Sequence, residues 1–372
     1  MQLAHLEPEP NPDVLMLASF YSRALDYWAV ELQKCGELKK AATHFERALE
    51  LNPDNVVAEV NLECNKSLQE GRKTAVQISK SVTDSFGKYR SWDSVLGDNG
   101  PFDEPNFCYE QGQAYMRNKL LRQAAQQYSR ANELDNEHLQ ARLRLAQLYI
   151  LAQKPDESLK LVREIQGREN QFGVSRTNVS ELLFTEASAY LANKDGAGAD
   201  EVIRSSLEKY SRDPEVLTNL LATATHAYMS FGLFSNSLLT IERQLTLAPD
   251  NTGALINQGY AYLQINAFDL AIPPLTKVLT LEPTNYTAML NRAIAYLRSG
   301  QLDASQLDYE TLQKAAPTAY QIYYGLGEIA YRRNDTNGAV RNYELYLSNA
   351  PPNLAEGKAI KERLSMLKPT PR

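Results

Sequence analysis

The chain has 372 residues, of which 43% are hydrophobic and 23% are charged, and its formal net charge at pH 7 is −6. This composition is typical of a soluble, folded protein, and the acidic balance argues against a phosphate-binding surface, which would be basic. The three cysteines lie far apart and form no Cys-x-x-Cys pair, so the sequence supports neither a disulfide framework nor a zinc site. We therefore expect no nucleic-acid partner and no bound metal.

Residues 1–21 are predicted to form an N-terminal extension. The opening is rich in proline and glutamate, and the first Lys or Arg is Arg23, so the basic region of a secretory signal is missing. The apolar stretch from Val14 to Phe20 is far shorter than a membrane span. We expect a soluble chain with no direct membrane insertion. Its compartment stays open, because it is either cytoplasmic or the soluble tail of a membrane protein.

Residues 22–90 are predicted to form two helix–turn–helix repeats. In the first, at 22–55, small residues occupy the helix contacts, an aromatic residue fills the space to the next repeat, and a proline follows the second helix: Ala29, Gly36, Ala41, Phe45, Ala48 and Pro53. The second repeat is degenerate; it opens with Asn61 and turns near Gly71.

Residues 91–104 interrupt this pattern as an aromatic insert within a turn-rich stretch that begins at residue 87. Trp92 and Phe102 make the insert too apolar for simple disorder. Long interruptions of compact repeats are either packed or functional. We expect the insert to pack onto the repeats, with contact to a ligand as the alternative.

Residues 105–353 are predicted to form seven further repeats, and the last four follow one another without a gap. Their closing prolines recur every 34 residues, at Pro249, Pro283, Pro317 and Pro351, and small residues recur in phase with them, at Gly259, Ala293 and Gly327. A fixed period of this length is typical of stacked repeats. Residues 354–372 are predicted to be a capping helix and tail, because a terminal repeat would otherwise expose an apolar face.

The 34-residue period and the order of small, aromatic and proline positions resemble the tetratricopeptide repeat (TPR) family over nearly the whole chain. The resemblance implies an all-α fold, a right-handed superhelical solenoid of about nine helix–turn–helix repeats with a C-terminal capping helix. It also implies a scaffold that binds a protein or peptide segment in a concave groove lined by the first helix of each repeat. Catalytic motifs are missing from the sequence, so we predict that the chain is not an enzyme and needs no cofactor.

The ligand-facing positions of the family map onto first helices of three adjacent repeats, at Asn257, Tyr260, Asn291, Ile294, Arg298, Tyr324, Glu328 and Arg332. Asn257 and Asn291 occupy equivalent positions, shared by Asn61, and resemble the asparagine ladder of the O-linked N-acetylglucosamine transferases, whose amides hold a peptide backbone. An amide both donates and accepts, so it suits this task. The two arginines predict a preference for an acidic side chain. The alternative is that the asparagines only maintain a solvated surface.

Two other family resemblances bear on function. The carboxylate clamp for chaperone C-termini is not present, because Ile256 and Tyr260 replace its first Lys and Asn, and Gln321 and Gly325 replace its last pair. Residues 20–25 and 99–105 resemble the TPR tails of some large bacterial multi-pass membrane proteins. That resemblance implies an alternative function, as the accessory TPR domain of a membrane-bound glycosyltransferase-like assembly.

Overall fold

The computed structural model describes residues 11–72, 92–352 and 354–367, and over these ranges it contains helices and no strand. The all-α prediction is therefore confirmed. The start of the N-terminal extension, the end of the second repeat, the side chain of Trp92 and the last five residues of the tail lie outside the described residues. The chain divides into two compact units, Met1–Ser175 and Arg176–Arg372.

The first unit contains α1 (Pro12–Lys34), α2 (Leu38–Leu51), α3 (Val56–Gln69), α4 (Trp92–Asn99), α5 (Pro105–Arg117), α6 (Leu121–Leu134), α7 (Leu139–Leu151), α8 (Pro155–Gln166) and α9 (Glu169–Phe172). Helical hairpins are formed by α1 with α2, by α5 with α6 and by α7 with α8. The short helix α4 packs against both α1 and α3, and it carries the first half of the insert.

The second unit contains α10 (Val179–Ala192), α11 (Gly196–Lys209), α12 (Pro214–Ser230), α13 (Phe234–Leu247), α14 (Thr252–Gln264), α15 (Phe268–Leu281), α16 (Tyr286–Arg298), α17 (Leu302–Ala315), α18 (Tyr320–Arg332), α19 (Thr336–Asn349) and α20 (Ala355–Leu367). Each helix contacts the next, and α14 and α18 also contact α16. The last helix, α20, buries Ile360 and Leu364 against Tyr343 and Tyr346 of α19.

Glycine and alanine allow the paired helices to approach as closely as they do. A Cβ atom added at Gly259 would lie 2.5 Å from Cγ of Leu275, and one added at Gly327 would lie 2.6 Å from the ring of Tyr343. Neither distance is compatible with van der Waals contact. The in-phase small residues of the sequence are therefore explained by helix packing inside each repeat.

The helical hairpins turn through a residue in the left-handed region of backbone space. Glycine takes this position at Gly36, with φ 79°, and at Gly300, with φ 85°. Five turns use a residue with a side chain instead, with φ between 58° and 61°: Lys119, Gln153, Lys194, Asn266 and Asn334. Left-handed backbone costs most L-residues roughly 1–2 kcal/mol but asparagine adopts it readily, so the turns at Lys119, Gln153 and Lys194 carry this strain.

Candidate functional site

The eight predicted groove residues lie on α14, α16 and α18 of the second unit. Asn257 and Asn291 are each the sixth residue of their helix, and both are half-buried. Neither side-chain amide forms a hydrogen bond with another described residue. The sixth residue of α18 is Gly325, where an added Cβ would lie 2.1 Å from the ring of Tyr309. The asparagine series ends there because the ring occupies the space of a side chain.

Two of the predicted residues bind the protein itself. Glu328 accepts a hydrogen bond from the hydroxyl of Tyr343 at 2.8 Å and forms an ion pair with Arg363 of α20. Arg332 donates from Nη1 to the backbone carbonyl of Leu297 at 2.6 Å. Both side chains therefore fasten α18 to its neighbours, and we leave them out of the site proposed below.

A cavity of about 350 Å³ opens between α16, α17, α18, α19 and the start of α20. Three predicted residues, Ile294, Arg298 and Tyr324, belong to its lining, which consists of Leu290, Ile294, Leu297, Arg298, Tyr309, Tyr320, Gln321, Tyr324, Tyr346, Leu354 and Glu356. We call it the tyrosine pocket. Ligand sites of proteins typically measure roughly 300–1,000 Å³ and combine apolar walls with a few polar groups, so this pocket suits a small group.

Arg298 is exposed and forms no ion pair with a described residue. Burial raises the pKa of both Tyr309 and Tyr324, and the charge of Arg298 opposes that rise in each. The guanidinium therefore acts electrostatically on two tyrosines of the tyrosine pocket. A free cation beside an apolar cavity favours a ligand that carries a negative group next to an apolar one.

Asn61 takes the same helix position as Asn257 and Asn291, and it lies in the first unit. It is fully buried. Its Nδ2 donates to the backbone carbonyl of Pro101 at 2.9 Å, and its Oδ1 accepts from the backbone amide of Asp103 at 2.7 Å. One amide thus holds a C=O and an N–H group two residues apart. The segment that it holds belongs to the same chain.

Residues 97–103, which we call the clasped segment, are held along their backbone by α1 and the start of α3. Arg23 donates to the carbonyl of Gly97, Asn55 to that of Asn99 at 3.1 Å, and Gln33 to that of Asp103 at 3.1 Å. These contacts run from the middle of α1 towards its C-terminal end. The clasped segment therefore lies along the first helices of the first two repeats, and the sequence predicts a ligand on the corresponding helices of three later repeats.

Two side chains of the clasped segment are also bound. Phe102 is only 5% exposed; it stacks on Phe107 with ring centroids 4.1 Å apart and packs with three valines of α3, Val56, Val57 and Val60. Asp103 receives two hydrogen bonds from Arg130, each of 2.6 Å. This part of the insert packs onto the repeats.

Asp26 is a buried carboxyl group beneath the clasped segment. Burial raises its pKa well above the ordinary value of 3.8; the hydrogen bond from Asn61 opposes this rise and the charge of Asp103 adds to it. Its Oδ2 has no hydrogen-bond partner among the residues that the structure describes. A Cβ atom at Gly100 would lie 2.4 Å from this oxygen, so only glycine fits over it.

The described residues contain no cluster of three or more His, Cys, Asp or Glu side chains able to hold a metal ion. Cys64 and Cys108 are free and buried, and burial raises the pKa of both thiols. None of the helices in the described ranges combines the length and the hydropathy needed to cross a membrane.

Family models described as tetratricopeptide repeat match residues 22–55, 109–172 and 290–353. The first match has the bounds that the sequence analysis gives to the first repeat. The third covers α17, α18 and α19 with most of α16, and therefore most of the tyrosine pocket. No curated protein matches the chain.

Several solved structures are similar to the chain. A tetratricopeptide repeat protein from Parabacteroides merdae is 14% identical, with 71% of this chain and 98% of that chain covered and a TM-score of 0.46. YrrB, described as a TPR protein with an unusual peptide-binding site, is 13% identical, with 63% and 97% covered and a TM-score of 0.37. Human IFIT1, solved as a dimer with m7Gppp-AAAA, is 15% identical, with 97% and 87% covered and a TM-score of 0.44.

Proposed function

Because the chain is a tetratricopeptide repeat protein, we propose that it is a scaffold whose second unit binds an extended peptide segment along α14, α16 and α18. One observation carries the proposal. Asn257 and Asn291 present half-buried amides without hydrogen-bond partners among the described residues, at the helix position where Asn61 holds the backbone of the clasped segment. An amide that both donates and accepts can satisfy a peptide backbone whatever its side chains.

The spacing of the two amides suits an extended ligand. Packed helices lie about 8–10 Å apart, and an extended chain advances about 3.3 Å per residue. Asn257 and Asn291 would therefore hold backbone groups roughly three residues apart. Tyr260 and Tyr324 supply partly exposed aromatic area beside them.

Charge restricts the ligand further. Of the two arginines in the predicted groove, Arg332 donates a hydrogen bond to the backbone of Leu297, and Arg298 forms no ion pair within the described part of the chain. The ligand should therefore carry one acidic side chain near Arg298. The exclusion of nucleic acid stays a prediction from net charge, and the accessory role in a membrane-bound assembly stays an alternative prediction.

The test is a selection of random peptides on the full chain, followed by fluorescence anisotropy with the best binder. Two lost hydrogen bonds of about 1 kcal/mol each predict that the Asn257→Ala, Asn291→Ala double variant binds at least about tenfold more weakly. Asn337→Ala, an exposed asparagine of α19, is the matched control and should bind as wild type does. Equal affinity of the double variant, or a selection that yields no binder, would show the proposal to be wrong.

A further inference from the structure

Five lining residues of the tyrosine pocket occupy the same repeat positions as residues that surround the clasped segment in the first unit. Phe102 belongs to one buried hydrophobic cluster with Val56, Val57 and Val60, the first, second and fifth residues of α3. In α18 those positions are Tyr320, Gln321 and Tyr324, and all three line the tyrosine pocket.

The wall of the tyrosine pocket formed by α16 also matches the first unit by repeat position. Counted from the start of the repeat at 22–55, Val30 and Lys34 are the ninth and thirteenth residues, and both line a cavity with Phe102 and Asp103. In the repeat that begins at Tyr286, the ninth and thirteenth residues are Ile294 and Arg298, which line the tyrosine pocket. The first unit thus provides an internal template for what this crevice between two first helices accepts.

We propose that the tyrosine pocket binds one aromatic side chain of the peptide, with an acidic residue directly after it that pairs with Arg298. This inference rests on the proposed function and names its ligand class. The clasped segment supplies only the order, because Asp103 follows Phe102 and is bound there by Arg130. The pairing with Arg298 is inferred from the charge of Arg298 beside the pocket. The pocket supplies the chemistry, since Tyr320 and Tyr346 already form an edge-to-face pair with ring centroids 5.8 Å apart, a geometry that a further ring extends.

The probe for the test is the peptide Asp-Asn-Gly-Pro-Phe-Asp-Glu, the sequence of residues 98–104, with a fluorescein at its N-terminus. Fluorescence anisotropy with the full chain should show saturable binding. Replacing the Phe of the probe by Ala should weaken binding at least tenfold, because an aromatic ring supplies most of the apolar area. Replacing the following Asp by Asn should weaken it several-fold, and raised salt should have the same effect.

Protein variants locate the binding. Gln321→Trp places a large side chain at an exposed position of the pocket lining and should abolish binding of the probe, and Arg298→Glu should remove the preference for Asp over Asn in the probe. Thr311→Trp, at an exposed position of α17 outside the pocket, is the matched control and should have no effect.

Each other outcome has a defined meaning. If the probe binds Gln321→Trp as tightly as wild type, it occupies another surface and the inference is wrong. The probe would behave in this way if it displaced the clasped segment from the first unit. A probe that does not bind at all also overturns it. The proposed function survives either failure if a peptide from the random selection still loses affinity in the Asn257→Ala, Asn291→Ala variant.

Discussion

The substitution Gly325→Ala tests the close contact between α17 and α18. An added Cβ would lie 2.1 Å from Cζ and 2.4 Å from Cε2 of Tyr309. Since ordinary contact begins at 3.4 Å, the ring has to move by roughly 1.3 Å (3.4 minus 2.1). Tyr309 is 1% exposed, so it cannot turn into solvent. The shift of the ring must therefore be taken up by its packed neighbours and by the tyrosine pocket, which Tyr309 lines.

The expected change in the free energy of unfolding of Gly325→Ala is the difference between two opposing effects. Overpacking of a well-packed core costs about 1–3 kcal/mol, whereas Ala in place of Gly inside a helix returns up to about 1 kcal/mol. We therefore expect the free energy of unfolding of this region to fall by about 1–2 kcal/mol. Tyr309 also lines the tyrosine pocket, so the same shift should weaken binding of the peptide probe.

Hydrogen exchange with mass spectrometry measures this effect locally. Protection of α16–α19 should fall by a factor of about 5–30, while the first unit keeps its protection because repeats stabilise only their neighbours. Gly253→Ala is the matched control: its Cβ would have only Asn251 Oδ1 nearby, at 3.4 Å, so it should stabilise α14 slightly. Unchanged protection in Gly325→Ala, or a uniform loss along the whole chain, would refute this reasoning.

Three further predictions concern stability. Burial raises the pKa of folded Asp26 above 3.8, so the folded first unit retains a proton that the unfolded chain releases and its stability falls as pH rises between the two pKa values. Asp26→Asn should remove this dependence of stability on pH. In urea unfolding the variant should therefore be more stable than wild type at pH 7 but not at pH 4 or below, and an unchanged pH dependence would contradict this prediction. Arg292→Met leaves the buried carboxylate of Asp308 without its ion pair and should lower the free energy of unfolding by about 3–5 kcal/mol. Adding Asp308→Leu should recover most of this loss, and a double variant as unstable as Arg292→Met alone would contradict the argument. Lys194 has a left-handed backbone with φ 60°, which glycine adopts without strain. Lys194→Gly should therefore stabilise α10 and α11 by about 0.5–1 kcal/mol. The midpoint of thermal unfolding should rise, and a lower midpoint would contradict this prediction.

The parts of the fold that depend on local sequence were predictable. The repeat at 22–55 and the in-phase small residues such as Gly259 follow from steric rules that operate within one repeat. The order of residue types along the sequence is therefore enough to predict them. The same holds for the equivalence of Asn257 and Asn291, which needs only the repeat period. Their role in binding stays a prediction.

The parts that depend on distant side chains were not predictable. Asn61 has the same position in its helix as Asn257, but it is buried because residues 101–103 cover it. Glu328 is engaged by Arg363, 35 residues further along the chain. One signal in the sequence could have indicated the clasped segment: Asp26 and Gln33 place polar groups on a helix face next to buried valine and alanine, and buried polar groups require partners.

The clasped segment also affects the order in which the two units fold. The Arg23–Gly97 and Gln33–Asp103 hydrogen bonds join residues 74 and 70 positions apart, whereas the helical hairpins of a repeat need only contacts within one repeat. Folding rates fall as the average sequence separation of contacts rises, because a longer loop must close before such contacts form. In a refolding experiment α1, α2 and α3 should therefore become helical first and the clasped segment should dock afterwards, so that the first unit reaches its native state later than the second.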